Sequence, residues 1–330
     1  MYSFGHPPPQ YIHKINAENF EHIALELFHH QYLHNELYRK FCDAVCPVPD
    51  AVDKLTEIPH LPISFFKTHN IITGKRNQPS LIFESSGTTG EIPSKHFVSD
   101  AALYEESLLS GFHNFYGDPS QYAILALLPS YLERKNASLV HMAETLMKKS
   151  KHSDNGFYLN EWEQLSEKLS KLETKKQPVI LLGVTFALLD FADAFPMKLK
   201  NTIVMETGGM KGRKEEWTRQ QVHDYLKSRW QLKQVHSEYG MTELLSQAYA
   251  KENGMFKASP TMRVFVRDIN DPLEVNEHGS GVLNIIDLAN VDSCAFIATD
   301  DIGNIHKDGS FEVLGRLDHS ALRGCSLMAV

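Results

Sequence analysis

Apolar residues Phe20, Ile23, Ala24, Leu27, Phe28, Tyr32, Leu33, Leu37 and Tyr38 recur with the period of a helix. Residues 19–45 therefore predict one long helix or two, stopped by Pro47 and Pro49. The stretch Ile58-Pro59-His60-Leu61-Pro62 predicts an extended connection through residue 66, because a residue before proline is driven away from helix. After the short apolar run Leu81-Ile82-Phe83, a helix is expected from Ser99 or Asp100 as cap to about residue 116, with Leu103, Leu108, Leu109 and Phe112 on its apolar side. Residues 122–128 are then continuously apolar and are followed by helical spacing over 137–147, the pattern of a strand buried on both faces and its covering helix. The alternation repeats: helix 162–172, strand 179–182, helix 186–195, strand 202–205, helix 215–230, strand 234–236.

Strands alternating with helices over this distance predict a layered α/β sheet with helices on its faces. From about residue 254 the period drops to two, and turns at Asn270-Asp271-Pro272, Glu277-His278-Gly279 and Lys307-Asp308-Gly309 separate the runs. Residues 1–80 are read as a helical segment and linker, 81–253 as an α/β core and 254–330 as an antiparallel β subdomain, with 81–330 forming one compact unit on which 1–80 packs.

Composition narrows the function classes. A 330-residue chain that is 42% hydrophobic can bury a sizeable core. A net charge of -8, with both signs mixed along the chain, argues against a nucleic-acid groove. The 17 histidines are scattered without metal-ligand spacing. Four cysteines, Cys42, Cys46, Cys294 and Cys325, make no Cys-x-x-Cys pair and fit a reducing compartment. No basic-then-apolar leader and no apolar run of the ~20 residues needed to span a bilayer is seen, so a cytoplasmic protein is expected.

Four stretches carry candidate chemistry. Ser85-Ser86-Gly87-Thr88-Thr89-Gly90 follows the run ending at Phe83; its glycines allow close backbone approach, and its hydroxyls and N–H groups suit a phosphate. It lacks the Gly-Lys-Ser/Thr ending of a Walker loop and the glycine spacing of a dinucleotide fold. Tyr239-Gly240-Met241-Thr242-Glu243 places a ring, a hydroxyl and a carboxylate together; taken alone it is equally a helix start capped by Ser237 or Thr242. Thr299-Asp300-Asp301-Ile302-Gly303, expected at a strand end, offers carboxylates for two ribose hydroxyls. Gly315-Arg316-Leu317-Asp318 ends the next strand; either of these last two is also an ordinary turn with a charge pair.

In this order the four stretches resemble the adenylate-forming superfamily of acyl-CoA ligases, adenylation domains and luciferases. The resemblance covers residues 81–325 and implies the large N-terminal domain of such an enzyme. Glu206-Thr207-Gly208-Gly209 and the closing Arg323-Gly324-Cys325 are similar to the acyl-protein synthetases of bacterial bioluminescence. The resemblance implies ATP and Mg²⁺, with Ser85, Ser86, Gly87, Thr88, Thr89 and Gly90 on the β- and γ-phosphates and Thr242 on the α-phosphate. Glu243 would hold the metal, Tyr239, Gly208 and Gly209 would flank adenine, and Asp301 and Arg316 would hold the ribose. Residues 181–189, with Gly183, are the candidate wall for an acyl chain.

The implied reaction is activation of a carboxylic acid, a fatty acid by this resemblance, and transfer to a thiol, with Cys325 as the acceptor, in association with an acyl-reductase partner; a carrier protein or CoA are the other acceptors. Superfamily members also carry a lid domain with a catalytic lysine, which is expected to be missing here, and Pro93-Ser94-Lys95 departs from the usual Pro-Lys. A carboxylate–CoA ligase with its lid lost or supplied in trans, and a non-catalytic ATP-binding partner, are the competing readings.

Overall fold

The computed structural model describes residues 4, 7–74, 78–85, 92–129, 136–208 and 217–317. The N-terminal helical stretch is two helices, α1 (Phe20–His34) and α2 (Glu36–Val45), because Asn35 breaks it in an extended conformation and caps α2 by accepting from Tyr38 N. The connection after them is not wholly extended. Strand β1 (Leu61–Pro62) is followed by one helical turn, α3 (Phe65–Thr68), which begins beyond the reach of Pro62.

A hairpin of β2 (Leu81–Glu84) and β3 (Lys95–Val98) flanks the hydroxyl-rich loop. Helix α4 (Ala101–Tyr116) starts where Asp100 accepts from Ala102 N and stops at Gly117, whose φ of 77° suits glycine. Next come β4 (Ala123–Leu127), α5 (Ser138–Ser150), β5 (Gly156–Tyr158), α6 (Trp162–Thr174), β6 (Val179–Val184), α7 (Thr185–Ala194), β7 (Thr202–Thr207) and α8 (Arg219–Trp230). The remainder is β8 (His236–Tyr239), β9 (Ala248–Ala250), β10 (Phe256–Ala258), β11 (Met262–Arg267), β12 (Val275–Asn276), β13 (Gly279–Asp287), β14 (Phe296–Ile305) and β15 (Phe311–Arg316).

Among the described residues, thirteen strands form one sheet, ordered β12-β11-β13-β14-β15-β10-β9-β8-β7-β6-β4-β5, with β1 added to β14. The β5-β4-β6-β7-β8 part is parallel; from β8 to β9 onward the pairing is antiparallel, except that β1 joins β14 in parallel. Strands β4 and β6 are buried along their whole length, as continuous apolar runs between helical layers must be. The strands after residue 254 thus hydrogen-bond into the same sheet as the parallel core.

Two apolar clusters form the interior. One lies around β4, β6 and β7 under α4 to α8; the other joins α1 and α2 to β11, β13 and β14. In the second, Phe296 stacks on Tyr38 with centroids 5.8 Å apart and meets Phe28 edge-on. Polar anchors accompany it: Gln31 donates to the carbonyls of Asn290 and Val291 and accepts from Ala295 N. No helix of the described residues is long and apolar enough to cross a membrane.

Candidate active site

Strand β8 ends at Tyr239, and residues 240–247 form a turn rather than the alternative helix start. Tertiary partners decide this. Asp287 Oδ2 accepts from Leu245 N (2.7 Å) and Ser246 N (3.0 Å), while Oδ1 accepts from Ser246 Oγ (2.5 Å). Asn290 Nδ2 donates to Glu243 O at 2.7 Å. His96 lies between Thr242 O (2.8 Å) and Asn290 Oδ1 (2.9 Å). Backbone groups held this way from outside cannot also make the local bonds of a helix. Burial lowers His96 to about 4, against its two hydrogen bonds. A neutral ring has one N–H, so it donates to one of these two acceptors.

The turn presents Glu243 from a buried position, 4% exposed. Desolvation pushes its carboxyl up, against a hydrogen bond with Ser94 and the nearby charge of Arg316. Ser94 also closes the hydroxyl-rich loop: its N–H donates to Ser85 Oγ (2.8 Å), and its carbonyl accepts from Ser85 N (3.0 Å). Ser85 is therefore held beside the Thr242-Glu243 turn. Ser86, Gly87, Thr88, Thr89, Gly90, Gly209, Asp318 and Cys325 lie outside the described residues. Lys95 pairs with Glu84 at 3.6 Å, both partly exposed.

Asp301 sits within β14, not at a strand end as its turn-like sequence suggests. It faces Arg316 across the β14–β15 ladder, beside an irregularity at Ile302/Gly303. Tyr239 Oη donates to Asp301 Oδ2 at 2.8 Å, and Arg316 Nε donates to Oδ1 at 3.2 Å. Burial, then the charge of Asp301, pushes the Tyr239 phenol up, so it remains a donor. Tyr239, Asp301, Arg316 and Glu243 are thus brought together, with Ser94 bonded to Glu243 and Ser85 to Ser94. Gly208 ends β7 with φ of 72°, and its carbonyl accepts from Thr185 Oγ1 at 2.8 Å. Beside it Glu206 is buried; desolvation raises its carboxyl, but His223 and Arg219 outweigh this and hold it below its ordinary range. Residues 181–189 lie in β6 and α7, where Leu188 fills the space beside Gly183.

Five groups in this region escaped the sequence: His96, Asp287, Asn290, Thr185 and Glu238. None of them belongs to a spacing motif that would mark it. Glu238 is 7% exposed and accepts from Thr207 Oγ1. Burial pushes its carboxyl up to about 7, opposed by Thr207 and aided by the charge of Glu206. Its folded pKa lies above the unfolded one, so its contribution to stability is full below the unfolded pKa and lost as pH rises through about 7. A shift of this size corresponds to about 3–4 kcal/mol. Between pH 5 and 8 the parent protein is therefore expected to lose several degrees of melting temperature relative to Glu238→Gln, whose other titrating groups are the same. Parallel melting curves would assign the carboxyl an ordinary pKa.

The architecture is that of the N-terminal domain of adenylate-forming enzymes. It resembles a luciferase-like enzyme of the mealworm Zophobas morio (TM-score 0.51, 16% identity, 75% of this chain and 60% of that one). It also resembles McyG A-PCP complexed with phenylalanyl-adenylate (0.53, 17%, 82% and 50%) and a long-chain-fatty-acid–CoA ligase of Archaeoglobus fulgidus (0.51, 15%, 75% and 53%). The chain spans half to three-fifths of the length of these solved structures.

Within that class, the family profile described as acyl-protein synthetase, LuxE, matches residues 8–329, and the chain belongs to this enzyme family. Long-chain-fatty-acid–luciferin-component ligases of Vibrio harveyi and Aliivibrio fischeri are similar to it. The first is 24% identical over 328 residues (91% of this chain, 84% of the relative) and the second 23% over 346 (97% and 90%).

Proposed function

We propose that the protein activates a long-chain carboxylic acid with ATP, forming an acyl-adenylate and pyrophosphate, and then passes the acyl group to a thiol. The observation that carries this reading is the grouping of Tyr239, Asp301 and Arg316 with the Thr242-Glu243 turn and the Ser85–Ser94 contact. They come from separate stretches of the chain, and binding one ligand would give them a common chemical purpose.

In the first step an oxygen of the substrate carboxylate attacks the α-phosphorus, and the bond to the bridging oxygen of pyrophosphate breaks. Asp301 accepts from the ribose hydroxyls, with Tyr239 and Arg316 holding it in place. The ring of Tyr239 and the Gly208-Gly209 backbone flank the base. Thr242 bonds the α-phosphate, and the loop of Ser85 to Gly90 carries the β- and γ-phosphates. Positioning and charge stabilisation account for the rate, since little covalent chemistry is asked of side chains.

Mg²⁺ is implied by this chemistry. The donor set suits it: Glu243 and phosphate are oxygen ligands, and this ion takes one or two carboxylates plus substrate phosphates rather than a dedicated cage. Among the described residues no group of three or more His, Cys, Asp or Glu could hold a metal without the phosphates. Glu243 would hold the ion, which supplies charge neutralisation on the leaving oxygens.

In the second step a thiolate attacks the acyl carbonyl and AMP leaves. Burial raises Cys294 and pushes Cys42 up to about 12, so neither thiol is a ready nucleophile. This leaves Cys46, which is half-buried, and Cys325, the acceptor implied by the family resemblance, with Arg323 two positions before it in the sequence to support the thiolate. Incubation with ATP and tetradecanoate is expected to add one tetradecanoyl mass to the intact protein and none to Cys325→Ser. An adduct on the variant would remove Cys325 as acceptor.

ATP–pyrophosphate exchange over a panel of straight-chain acids tests the first step. Acid-dependent exchange is the expected result, and ATP binding with no exchange for any acid would leave a nucleotide-binding protein without this activity. Rapid release of a soluble thioester on adding CoA would instead make CoA the acceptor.

A further inference from the structure

The face of the sheet opposite Tyr239 carries a polar group that the adenylation chemistry leaves unused. Thr207, Glu238 and Tyr249 are direct neighbours across β7, β8 and β9, so their side chains share one face. Thr207 Oγ1 donates to Glu238 Oε2 at 2.5 Å. The other carboxyl oxygen lies over Gly240: a Cβ there would stand 2.5 Å from Glu238 Oε1 and 3.6 Å from Gln247 Cγ. Gly240 itself is exposed and leads directly into the Thr242-Glu243 turn. Glu238 therefore occupies the space of the missing side chain, directly beneath an open surface next to the reacting groups.

Two further polar groups point to a ligand. Tyr249 is 2% exposed and Gln247 is 4% exposed, yet Tyr249 Oη and Gln247 Oε1 have no hydrogen-bond partner among the described residues. Leaving such groups unpaired costs on the order of 1–3 kcal/mol each. Aromatic packing gives Tyr249 no alternative: Phe115 and Tyr116 of α4 lie at 5.1 and 5.4 Å from its ring. The set comprises a donor, Tyr249 Oη, an acceptor, Gln247 Oε1, and a carboxyl group that burial keeps partly protonated near neutral pH. A hydroxyl group, which donates and accepts at once, complements it; a methylene complements none of it.

We propose that Glu238, with Thr207, Gln247 and Tyr249, forms a hydrogen-bonding subsite for the acyl part of the substrate, and that the acid activated is hydroxylated close to its carboxyl group. This rests on the adenylation reading and deepens it. The hydroxyl is placed near the carboxyl because Glu238 Oε1 lies against Gly240, two residues before Thr242, the residue assigned to the α-phosphate. A site built to bond a hydroxyl rejects the analogue lacking it far more strongly than an apolar pocket rejects an added one.

Pyrophosphate exchange with chain-matched decanoate, 2-hydroxydecanoate and 3-hydroxydecanoate tests this. One hydroxy acid is expected to exceed decanoate in kcat/KM by about 10²-fold or more. Glu238→Leu, checked for folding by its melting transition, is expected to bring that ratio near or below one, through loss with the hydroxy acid and gain with decanoate. Thr207→Val, which keeps the shape of the threonine, is expected to lower the ratio in the same direction. Equal use of decanoate and both hydroxy acids, or a ratio unchanged in folded Glu238→Leu, would overturn the subsite and leave adenylation standing. Absence of exchange with every acid would remove both.

Discussion

Glu243→Gln is expected to lower acid-dependent pyrophosphate exchange by about 10²–10³-fold, the usual cost of losing one electrostatic contact to the transition state. ATP binding, followed by calorimetry without the acid, is expected to change by less than about tenfold, because the metal is needed most where charge develops on the leaving oxygens. The substitution keeps the size of the side chain and its capacity to bond Ser94. Desolvation already opposes the charge on Glu243, so the neutral amide is not expected to destabilise the fold. Exchange at the parental rate would show that the carboxylate has no part in the chemistry, whatever its position.

Asp287→Ala is expected to have the largest effect on stability. Asp287 is fully buried and accepts from the backbone N–H groups of Leu245, Ser246 and Ala289 and from Ser246 Oγ. Removing it leaves the three backbone donors unpaired in the interior, while Ser246 Oγ keeps Thr261; at about 1–3 kcal/mol for each orphaned group, less what relaxation of the turn recovers, the loss is about 3–5 kcal/mol. In a chain of this size that lowers the melting temperature by roughly 4–7 °C. Urea denaturation gives the free energy directly. Because Asp287 holds the segment that follows Glu243, surviving protein is also expected to lose exchange activity. A change below about 1 kcal/mol would mean that water or a shifted backbone replaces the carboxylate.

The alternation of strand and helix was legible because burial on both faces demands long apolar runs, as in residues 123–127 and 179–184, and covering helices demand a 3.6-residue period. Helix starts were legible where a short polar side chain could cap, as at Asp100. What escaped depends on distant partners. Nothing local says that residues 240–247 avoid a helix; that follows from Asp287, Asn290 and His96, all remote in sequence. Pairing of Leu61 and Pro62 with β14 is equally invisible, since a proline-flanked segment reads as linker until the strand it joins is known.

The candidate site was legible to the extent that its residues form spaced motifs. Tyr239, Glu243, Asp301 and Arg316 lie in such motifs, and they meet. Asp301 was misplaced along its strand because Thr299 to Gly303 has the composition of a turn, whereas here it continues as ladder with an irregular register. Glu238 adjoins the motif but belongs to the opposite face of the strand, a distinction that only the alternation of β8 makes clear.

The pairing of β1 with β14 also bears on how the polypeptide acquires its shape during synthesis. Leu61 and Pro62 are synthesised more than 230 residues before their neighbours Ile297 and Ala298. Until then the apolar surface of the first two helices has no permanent cover, and contacts so distant in sequence form slowly. The nascent protein should therefore engage chaperones until β14 has emerged, and ribosome-bound chains halted at residue 290 should be digested by protease within the first 80 residues while protein that contains β14 resists.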